Sequence, residues 1–411
     1  MTHKKSLLKI IGFAIFVTLL ALVYKYKYTT VESDYSEPKI LATHYNGEHF
    51  VGSSSCFECH ADVYKDHLKT AHFNTSGLAD SLSVKGNFNE GANTLDLRDI
   101  SFRMTHENDS LYQHTTIKNR NVESFPTKFD IVIGSGVKGQ SYLNWEDEDL
   151  FQMHVSYYTP MDIWVKSPSF PEYSYSRTVG DACLKCHLTF ATNRNPSGQG
   201  NSYDRERMLY GVDCERCHRP AEKHVSYHRN NPEEKTAKYM MKFAELSRQK
   251  RLDVCAQCHS GLREQLLKGT PFSFLAGEDL KEHSQNINTG PVDNSKLDVH
   301  GNQYGLLTSS ECFKQTATMD CISCHDPHKN QRGNSPYFNQ KCVGCHSAKT
   351  IVCTANSEDV EHMGNNCISC HMPSSPSKSM TVDLKNDSLG VPFYVRTHLI
   401  AVYPKEKWTN N

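Results

Sequence analysis

The chain has 411 residues, with 45 lysines and arginines against 46 aspartates and glutamates and a formal net charge of -1. This balance leaves no basic footprint for nucleic acid, and the length is enough for two or three domains. Hydrophobic residues make up 37% of the sequence. We therefore expect a thin side-chain core, with another component filling the interior.

The N-terminus, residues 1–24, has the pattern of an export signal. Basic residues lead into an apolar run from Ile10 to Tyr24, which is short against the roughly 20 residues that span a bilayer, although Leu7 and Leu8 extend it if Lys9 reaches the surface. The run ends without the small residues of a cleavage site. We predict a single uncleaved anchor on the periplasmic face of the cytoplasmic membrane. The alternative is a cleaved signal peptide and a soluble periplasmic protein.

The remaining chain divides by composition. Alternating apolar residues between 94 and 170 predict antiparallel strands, with turns at Asn108–Ser110 and at the acidic run Glu146–Asp149. A proline and two acids after Asn231 predict a helix that runs toward Cys255. We predict a polar linker at 25–48, a first segment with one cysteine motif at 49–93, a β-rich insertion at 94–180, a core with six cysteine motifs at 181–375 and a C-terminal segment at 376–411. The predicted fold class is mostly α and irregular with a core filled largely by that other component, together with a small antiparallel β insertion and an N-terminal membrane helix.

Cysteine spacing carries the strongest chemical signal. Fourteen of the 16 cysteines form seven Cys-x-x-Cys pairs, each followed by histidine, and we number these motifs 1 to 7 in chain order. Two thiols that add across haem vinyl groups, followed by a histidine that ligates iron, need this spacing. The pairs are Cys56 and Cys59, Cys183 and Cys186, Cys214 and Cys217, Cys255 and Cys258, Cys321 and Cys324, Cys342 and Cys345, and Cys367 and Cys370. We predict seven covalent haems c with their iron.

Two other interpretations of these motifs are weaker. Structural zinc sites pair Cys-x-x-Cys knuckles, so seven knuckles leave one unpaired, and such sites give no reason for histidine after every pair. A thioredoxin-like motif needs a βαβ context and does not recur seven times.

Histidine supply predicts how the iron is held. The proximal ligands are His60, His187, His218, His259, His325, His346 and His371. Of 22 histidines, enough remain for a second imidazole on most irons, which favours electron transfer over substrate binding. The predicted distal ligands are His72, His224, His300, His328, His362 and His398. Candidates for a seventh are His154, His67 and His228.

Several of these motifs resemble multihaem c-type cytochromes of the cytochrome c-552/554 type. The resemblance lies in Gly52–His60 followed by Thr70–His72, in Gly211–His218, in the CHDPH sequence that ends at His328, and in CISCHMP ending at Pro373. It implies haems in stacked and perpendicular pairs, with His72, His224 and His328 as distal ligands. Seven motifs and the cysteine-free β insertion depart from that family's pattern.

Two functions follow. The first is an electron carrier that passes electrons along its haems outside the cytoplasmic membrane, between redox protein partners or membrane quinol-linked donors. The alternative is a multihaem oxidoreductase that acts on a small nitrogen or sulfur compound at a five-coordinate haem, although the Cys-x-x-Cys-Lys variant that often marks such a haem is missing. We predict no catalytic residue and no nucleotide site.

Three further features have open or ordinary interpretations. The Gly134–Gly139 segment fits a dinucleotide fingerprint but reads as a turn between strands. Cys312 and Cys353 could form a disulfide, remain free, or in one case approach a haem. The acidic Glu146–Asp149 turn is a solvated turn or a docking point for a basic redox partner.

Overall fold

The computed structural model describes residues 17–20, 37–120, 122–168, 170, 176–195, 200–287, 293–346, 366–384 and 390–409. The helices, α1 to α10 in chain order, are Ser53–His67, Asp181–Leu184, Cys214–His218, Glu222–Asn230, Arg248–His259, Leu280–His283, Gln303–Ser309, Glu311–Gln315, Ser335–His346 and Cys367–His371. Turns of 3₁₀ helix occupy Phe73–Thr75, Thr159–Met161, Arg205–Arg207, Phe243–Glu245, Asn294–Lys296, Cys321–Ser323 and Lys405–Lys407.

Strands are spread through most of the described chain. They are β1 to β19 in order: Ala42–Thr43, His49–Phe50, Ser76–Leu78, Thr94–Asp96, Ile100–Glu107, Ser110–Ile117, Val122–Glu123, Thr127–Lys128, Ile131–Ile133, Gln140–Glu146, Asp149–Tyr158, Ile163–Lys166, Arg177–Thr178, Leu188–Phe190, Leu209–Tyr210, Gln265–Leu266, Ser284–Gln285, Ser374–Val382 and Val391–Arg396.

The predicted helix-dominated fold is wrong. The structure has 31% helix and 25% strand, arranged in several sheets. The reason is physical: the motifs need only a turn or two of helix each, whereas the cysteine-free stretch alternates apolar and polar residues over long strands that build extensive sheets.

The expected N-terminal membrane helix is not supported either. Of the predicted anchor at 1–24, only residues 17–20 are described, as a short helical stretch. Across the described ranges, no helix combines the length and apolar character that a bilayer crossing requires.

A unit of two antiparallel sheets, β3 to β13, forms the best-packed part of the chain, and we call it the β unit. One sheet has the order β12-β11-β10-β9-β3 with β13 on β11, and the other has the order β4-β5-β6-β7 with β8 on β6. Phe102 and Met104 from the second sheet pack in one buried cluster with Tyr142, Met153 and Trp164 from the first. This part therefore has a core made of side chains alone.

The two predicted hairpin turns are confirmed. Asn108 and Asp109 have φ values of 46° and 62° between β5 and β6, a left-handed geometry that short asparagine- and aspartate-containing hairpin loops favour. Glu146 pairs with Asp149 at the end of the β10–β11 ladder. The Gly134–Gly139 segment joins antiparallel β9 and β10, so it connects two strands and does not open a helix.

The helix predicted to run from Asn231 toward Cys255 is wrong. Helix α4 ends at Asn230 and α5 begins only at Arg248. Ser247 caps α5 by accepting a hydrogen bond from the Lys250 N–H, and this serine cap marks the true start better than the proline and acids upstream.

A second buried cluster joins the β unit to the motif-bearing part. It contains Ala42 and Phe50 from the β1–β2 hairpin, Leu150 from β11, Phe190 from β14 and Phe272. Motifs 2 and 3 lie on either side of β14 and β15, so this cluster fixes them against the β unit.

Candidate haem sites

All seven motifs lie on short helical segments. Motifs 1 to 4 lie on or at the end of α1, α2, α3 and α5, motif 5 begins a 3₁₀ turn, motif 6 ends α9, and motif 7 forms α10. In a helix, residues i, i+3 and i+4 share one face. The spacing Cys-x-x-Cys-His therefore presents both thiols and the imidazole to the same side, which is the arrangement that one haem requires.

Aspartate caps fix where two of these segments begin. The Asp213 carboxylate accepts from the Cys214 N–H at 2.8 Å at the start of motif 3. Asp320 and Ser323 form a reciprocal capping box at motif 5. Such caps satisfy the free N–H groups of a first helical turn.

Three motif histidines face a histidine from elsewhere in the chain. The ring centroids of His218 and His328 are 6.0 Å apart with nearly parallel planes at 16°. Those of His325 and His398 are 6.2 Å apart at 26°. Those of His259 and His72 are also 6.2 Å apart, at 69°.

These separations match two imidazoles on one metal ion. A metal bonds an imidazole nitrogen at about 2.0–2.1 Å, and that nitrogen lies about 1.1 Å from the ring centre, so opposite rings on one ion have centroids roughly 6.3 Å apart. Both ring planes contain the bonding axis, so the angle between them can take any value. The described residues hold no group of three or more histidine, cysteine or acidic side chains that could bind a metal. The histidines here come together as pairs.

Desolvation lowers the pKa of four of the paired rings, those of His72, His218, His325 and His398, and so favours their neutral form. His72 and His325 are exposed and His218 and His398 are half-buried, yet each has enough protein around it for desolvation to act. Burial, followed by the neighbouring histidines, lowers the pKa of His72, His218 and His398 to about 4. A neutral imidazole is the form that ligates a metal.

Hydrogen bonds at Nδ1 orient several rings. Nδ1 of His371 lies 2.9 Å from the Ala401 carbonyl oxygen, and Nδ1 of His224 lies 2.7 Å from the Lys238 carbonyl oxygen. A carbonyl only accepts, so these nitrogens carry the hydrogen and Nε2 keeps its lone pair for iron.

The sequence did not predict these supporting groups. Gln303 Oε1 lies 3.1 Å from Nδ1 of His259, and the Thr75 hydroxyl lies 2.9 Å from Nδ1 of His187. Gln303 and Thr75 are 44 and 112 residues from their histidines. No local pattern could have shown these contacts.

The other predicted ligands are placed as follows. His300 acts electrostatically on His187, and His224 on His218, with His60 also nearby. His228 packs against His224, with centroids 4.7 Å apart.

Two further histidines have other contacts, and a third lies outside the described residues. Nε2 of His67 lies 3.3 Å from the Asp213 carboxylate, and its ring is 6.5 Å from that of His328. His154 lies in the β unit against Phe102 and Phe170. His362 lies outside the described residues.

Hydrogen bonds and ring contacts also show which motifs are neighbours. Motif 1 meets motif 3 through Glu215, whose carboxylate accepts from the Val51 and Gly52 N–H groups. Motifs 3 and 4 both meet motif 2, because Arg216 and Cys258 donate to the Lys185 carbonyl at 3.1 and 3.6 Å.

Further contacts join motifs 4, 5, 6 and 7 to one another in that order. Arg251 on α5 pairs with Asp320 before motif 5 at 2.6 Å, and His325 contacts Phe338 on α9 with centroids 5.3 Å apart. The Cys367 N–H donates to Asn339 on α9 at 3.0 Å. The spatial order is therefore 1, 3, then 2 and 4 together, then 5, 6 and 7, which differs from the order along the chain.

The remaining cysteines and the acidic turn add two facts. No disulfide joins the cysteines that the structure describes, and Cys353 lies outside the described residues, so a bond to Cys312 stays a prediction. In the acidic turn, Glu148 pairs with Arg194 at 2.5 Å and Arg205 donates to the Asp147 carbonyl. Part of the turn's charge is thus balanced within the chain.

Comparison with known proteins agrees with this geometry. Residues 142–219, which contain motifs 2 and 3, match the family model described as cytochrome c554 and c-prime. The crystal structure of the outer cell wall cytochrome OcwA is similar to the chain, with a TM-score of 0.51 and 17% identity, covering 85% of this chain and 79% of that one. No curated protein sequence matches. The family match is confined to residues 142–219, and at 17% identity the structural likeness is one of fold.

Proposed function

We propose that the chain binds seven haems c and passes electrons along them, with most irons held by two histidines. The observation that carries this proposal is the set of three rings from His72, His328 and His398 at 6.0–6.2 Å from motif histidines. Bis-histidine iron keeps its ligands in both redox states, so little reorganises when an electron arrives or leaves.

The protein would position the haems and tune their reduction potentials. Covalent haem supplies one-electron chemistry when bound. The motif thiols would attach the haem, and the motif imidazoles with the rings that face them would hold its iron. The carbonyls of Ala401 and Lys238 keep the hydrogen on Nδ1 of His371 and His224, which leaves Nε2 free to bind iron. The motif contacts would then make a continuous series of neighbouring haems in the order 1, 3, 2, 4, 5, 6 and 7.

We further propose that the protein works outside the cytoplasm, where it exchanges electrons with redox proteins or with a quinol-linked donor. The structural likeness to an outer cell wall cytochrome supports the location. The partners are inferred from the chemistry of the haems alone.

One observation favours a second candidate, an oxidoreductase with an open haem. Among the described residues, no ring contact joins His60, His187, His346 or His371 to a second histidine. His60 and His187 interact electrostatically with His224 and His300, whereas His362, the candidate next to motif 7, lies outside the description. If the chain has an iron that binds a small nitrogen or sulfur compound, motif 6 or motif 7 is where it lies.

Three measurements on protein matured by a haem-attachment system test these functions. Intact mass gives the number of attached haems, with seven expected. Paramagnetic resonance and carbon monoxide binding to the reduced protein then give the spin state. Low-spin signals and no carbon monoxide adduct support the carrier, whereas a high-spin ferric signal with an adduct supports the enzyme. A mass equal to that of the bare polypeptide, without Soret absorbance, overturns both.

A further inference from the structure

Two cationic side chains are buried where motifs 2, 3 and 4 meet. Lys185 lies between the two cysteines of motif 2 and is 4% exposed, and Arg216 lies between those of motif 3 and is 7% exposed. Lysine and arginine are almost never fully buried without a charged partner. Their position inside three neighbouring haem motifs therefore calls for an explanation.

Neither cation is neutralised by an acid at this junction, which we define by Lys185, Arg216 and Cys258. Within the described part of the chain, the groups that act electrostatically on the Lys185 ammonium are two cysteines and two arginines, with no carboxylate. Its Nζ donates to the Leu262 carbonyl. Arg216 lies over the Phe272 ring at 5.4 Å, and its Nε has no hydrogen-bond partner.

The acidic side chains near the junction have hydrogen-bond partners of their own. Asp213 also acts on motif 3, but its carboxylate accepts from the Cys214 N–H and faces His67. Asp253 accepts from the Leu280 N–H at 3.2 Å. Neither carboxylate forms an ion pair with Lys185 or Arg216.

Both cations act on the haem-attachment sulfurs of more than one motif. Lys185 and Arg216 each influence Cys186 of motif 2 and Cys258 of motif 4, and Arg216 also influences Cys217 of motif 3. Charges interact strongly in a site with little water. Any group held on these sulfurs experiences the same two cations.

We propose that Lys185 and Arg216 are potential-setting residues, which raise the reduction potentials of the haems on motifs 2, 3 and 4 and make this junction the most oxidising part of the series. The inference rests on the proposed function. Ferric haem gains one electron and loses one positive charge on reduction, so a nearby buried cation favours the reduced state, and charge and burial are the means by which proteins tune such potentials. Electrons that enter at either end would collect at the junction.

The test is a potentiometric titration of the holoprotein carrying Lys185→Met or Arg216→Met, which remove the charge and keep much of the stem. Each variant is expected to lower the highest potentials of the titration and to leave the lowest unchanged. We expect at least a tenfold change in the reduction equilibrium of the affected haems, equivalent to about 59 mV for a one-electron couple. Lys185→Arg and Arg216→Lys keep the charge and should restore the potentials, which a purely structural role would not predict.

The matched control is Lys250→Met, which removes an exposed charge from the helix that carries motif 4 and should leave the titration unchanged because water screens it. If Lys185→Met matures with fewer haems, Lys185→Gln, whose amide can still donate to the Leu262 carbonyl, takes its place. If both charge-removing variants carry all their haems and keep the highest potentials unchanged, the junction proposal is wrong, while the proposed function stands. A wild-type protein without attached haem overturns the proposed function first.

Discussion

Glu215 shows how one side chain inside a haem motif can hold two motifs together. Its carboxylate is 3% exposed and accepts from the N–H groups of Val51, Gly52 and Ala221 at 3.1, 2.8 and 2.8 Å. Burial raises the pKa of this carboxyl to about 7, against the lowering effect of those hydrogen bonds. The segment that enters motif 1 and the turn that follows motif 3 therefore depend on the same acceptor.

Glu215→Ala is expected to destabilise the holoprotein by roughly 2–4 kcal/mol, because buried N–H groups left without an acceptor cost about 1–3 kcal/mol each. Thermal unfolding followed by circular dichroism measures the loss. Glu215→Gln keeps one acceptor oxygen, so its unfolding midpoint should lie between those of the unsubstituted protein and Glu215→Ala. Glu264→Ala removes an exposed acid and should not change the midpoint. An unchanged midpoint for Glu215→Ala would show that other groups hold the two motifs together.

His72 gives a prediction that chain order alone would not give. It follows motif 1, but its ring faces His259 of motif 4. We expect His72→Ala to convert one haem, that of motif 4, to a high-spin state that binds carbon monoxide, with no change in the number of attached haems.

The same haem can be identified through Gln303, which bonds Nδ1 of His259. Gln303→Ala should shift the paramagnetic signal that His72→Ala removes and leave the others in place. His114→Ala, on β6 in the β unit, is the control and should change nothing. If the two variants affect different signals, His72 does not serve motif 4.

The proximal ligands were predictable because each lies within a five-residue pattern, whereas the partners of the distal ligands were not. His328 follows motif 5 by three residues yet faces His218 of motif 3, and His398 near the C-terminus faces His325. Such pairs form between segments that are distant in sequence. Counting histidines therefore predicts how many ligands are available and not which iron each one serves.

At the level of elements, the carboxylate of Asp298 holds the C-terminal hairpin β18–β19 in place through hydrogen bonds. Asp298 accepts from the Ser379 N–H at 2.8 Å, from the Lys378 N–H at 3.1 Å and from the Ser377 hydroxyl at 2.9 Å. Burial acts to raise the pKa of this group, but the hydrogen bonds lower it to about 2. The hairpin leads directly to His398, whose ring faces that of His325 in motif 5. Loosening the hairpin should therefore also move the His398 ring.

Asp298→Ala should loosen this hairpin, because hydrogen bonds to a charged group contribute about 1.5–3 kcal/mol each. We expect faster proteolysis within residues 374–396, with the β unit still resistant, and a partial high-spin signal from motif 5. Lys378→Ala is the matched control, since it removes an exposed side chain but keeps the N–H that Asp298 accepts from. Equal cleavage rates in the two variants would contradict the role of Asp298.

Elements with a strong local pattern were predictable and the others were not. The hairpins of the β unit follow from alternating residues and polar turns, which act over a few positions. The helix predicted after Asn231 had a plausible start, but the chain there forms turns before Ser247 caps α5. Helix formation in proteins depends mostly on a packed face, which a local start signal does not report.

On the scale of the whole molecule, the chain combines two ways of filling an interior. The β unit buries Phe102, Tyr142 and Trp164 in a side-chain cluster. Among the motif-bearing helices, α9 buries no residue and α1 buries only His67. The low hydrophobic content of the sequence is thus unevenly distributed, and we expect α1 and α9 to depend on attached haem for their packing.

This division predicts how the chain behaves when haem is not attached. Chain in which serine replaces all the motif cysteines should keep slow amide exchange in residues 100–117 and 140–158, because those strands are stabilised by buried side chains, and should exchange quickly across 53–67 and 335–346. Hydrogen–deuterium exchange with mass spectrometry measures both, with the mature holoprotein as the reference in which all four segments are protected. Phe102→Ala, expected to cost about 3–5 kcal/mol, should abolish the protection that remains in the β strands of the haem-free chain. Protection of the motif helices without haem would show that they have a sufficient side-chain core, and rapid exchange everywhere would show that the β unit also needs the cofactors.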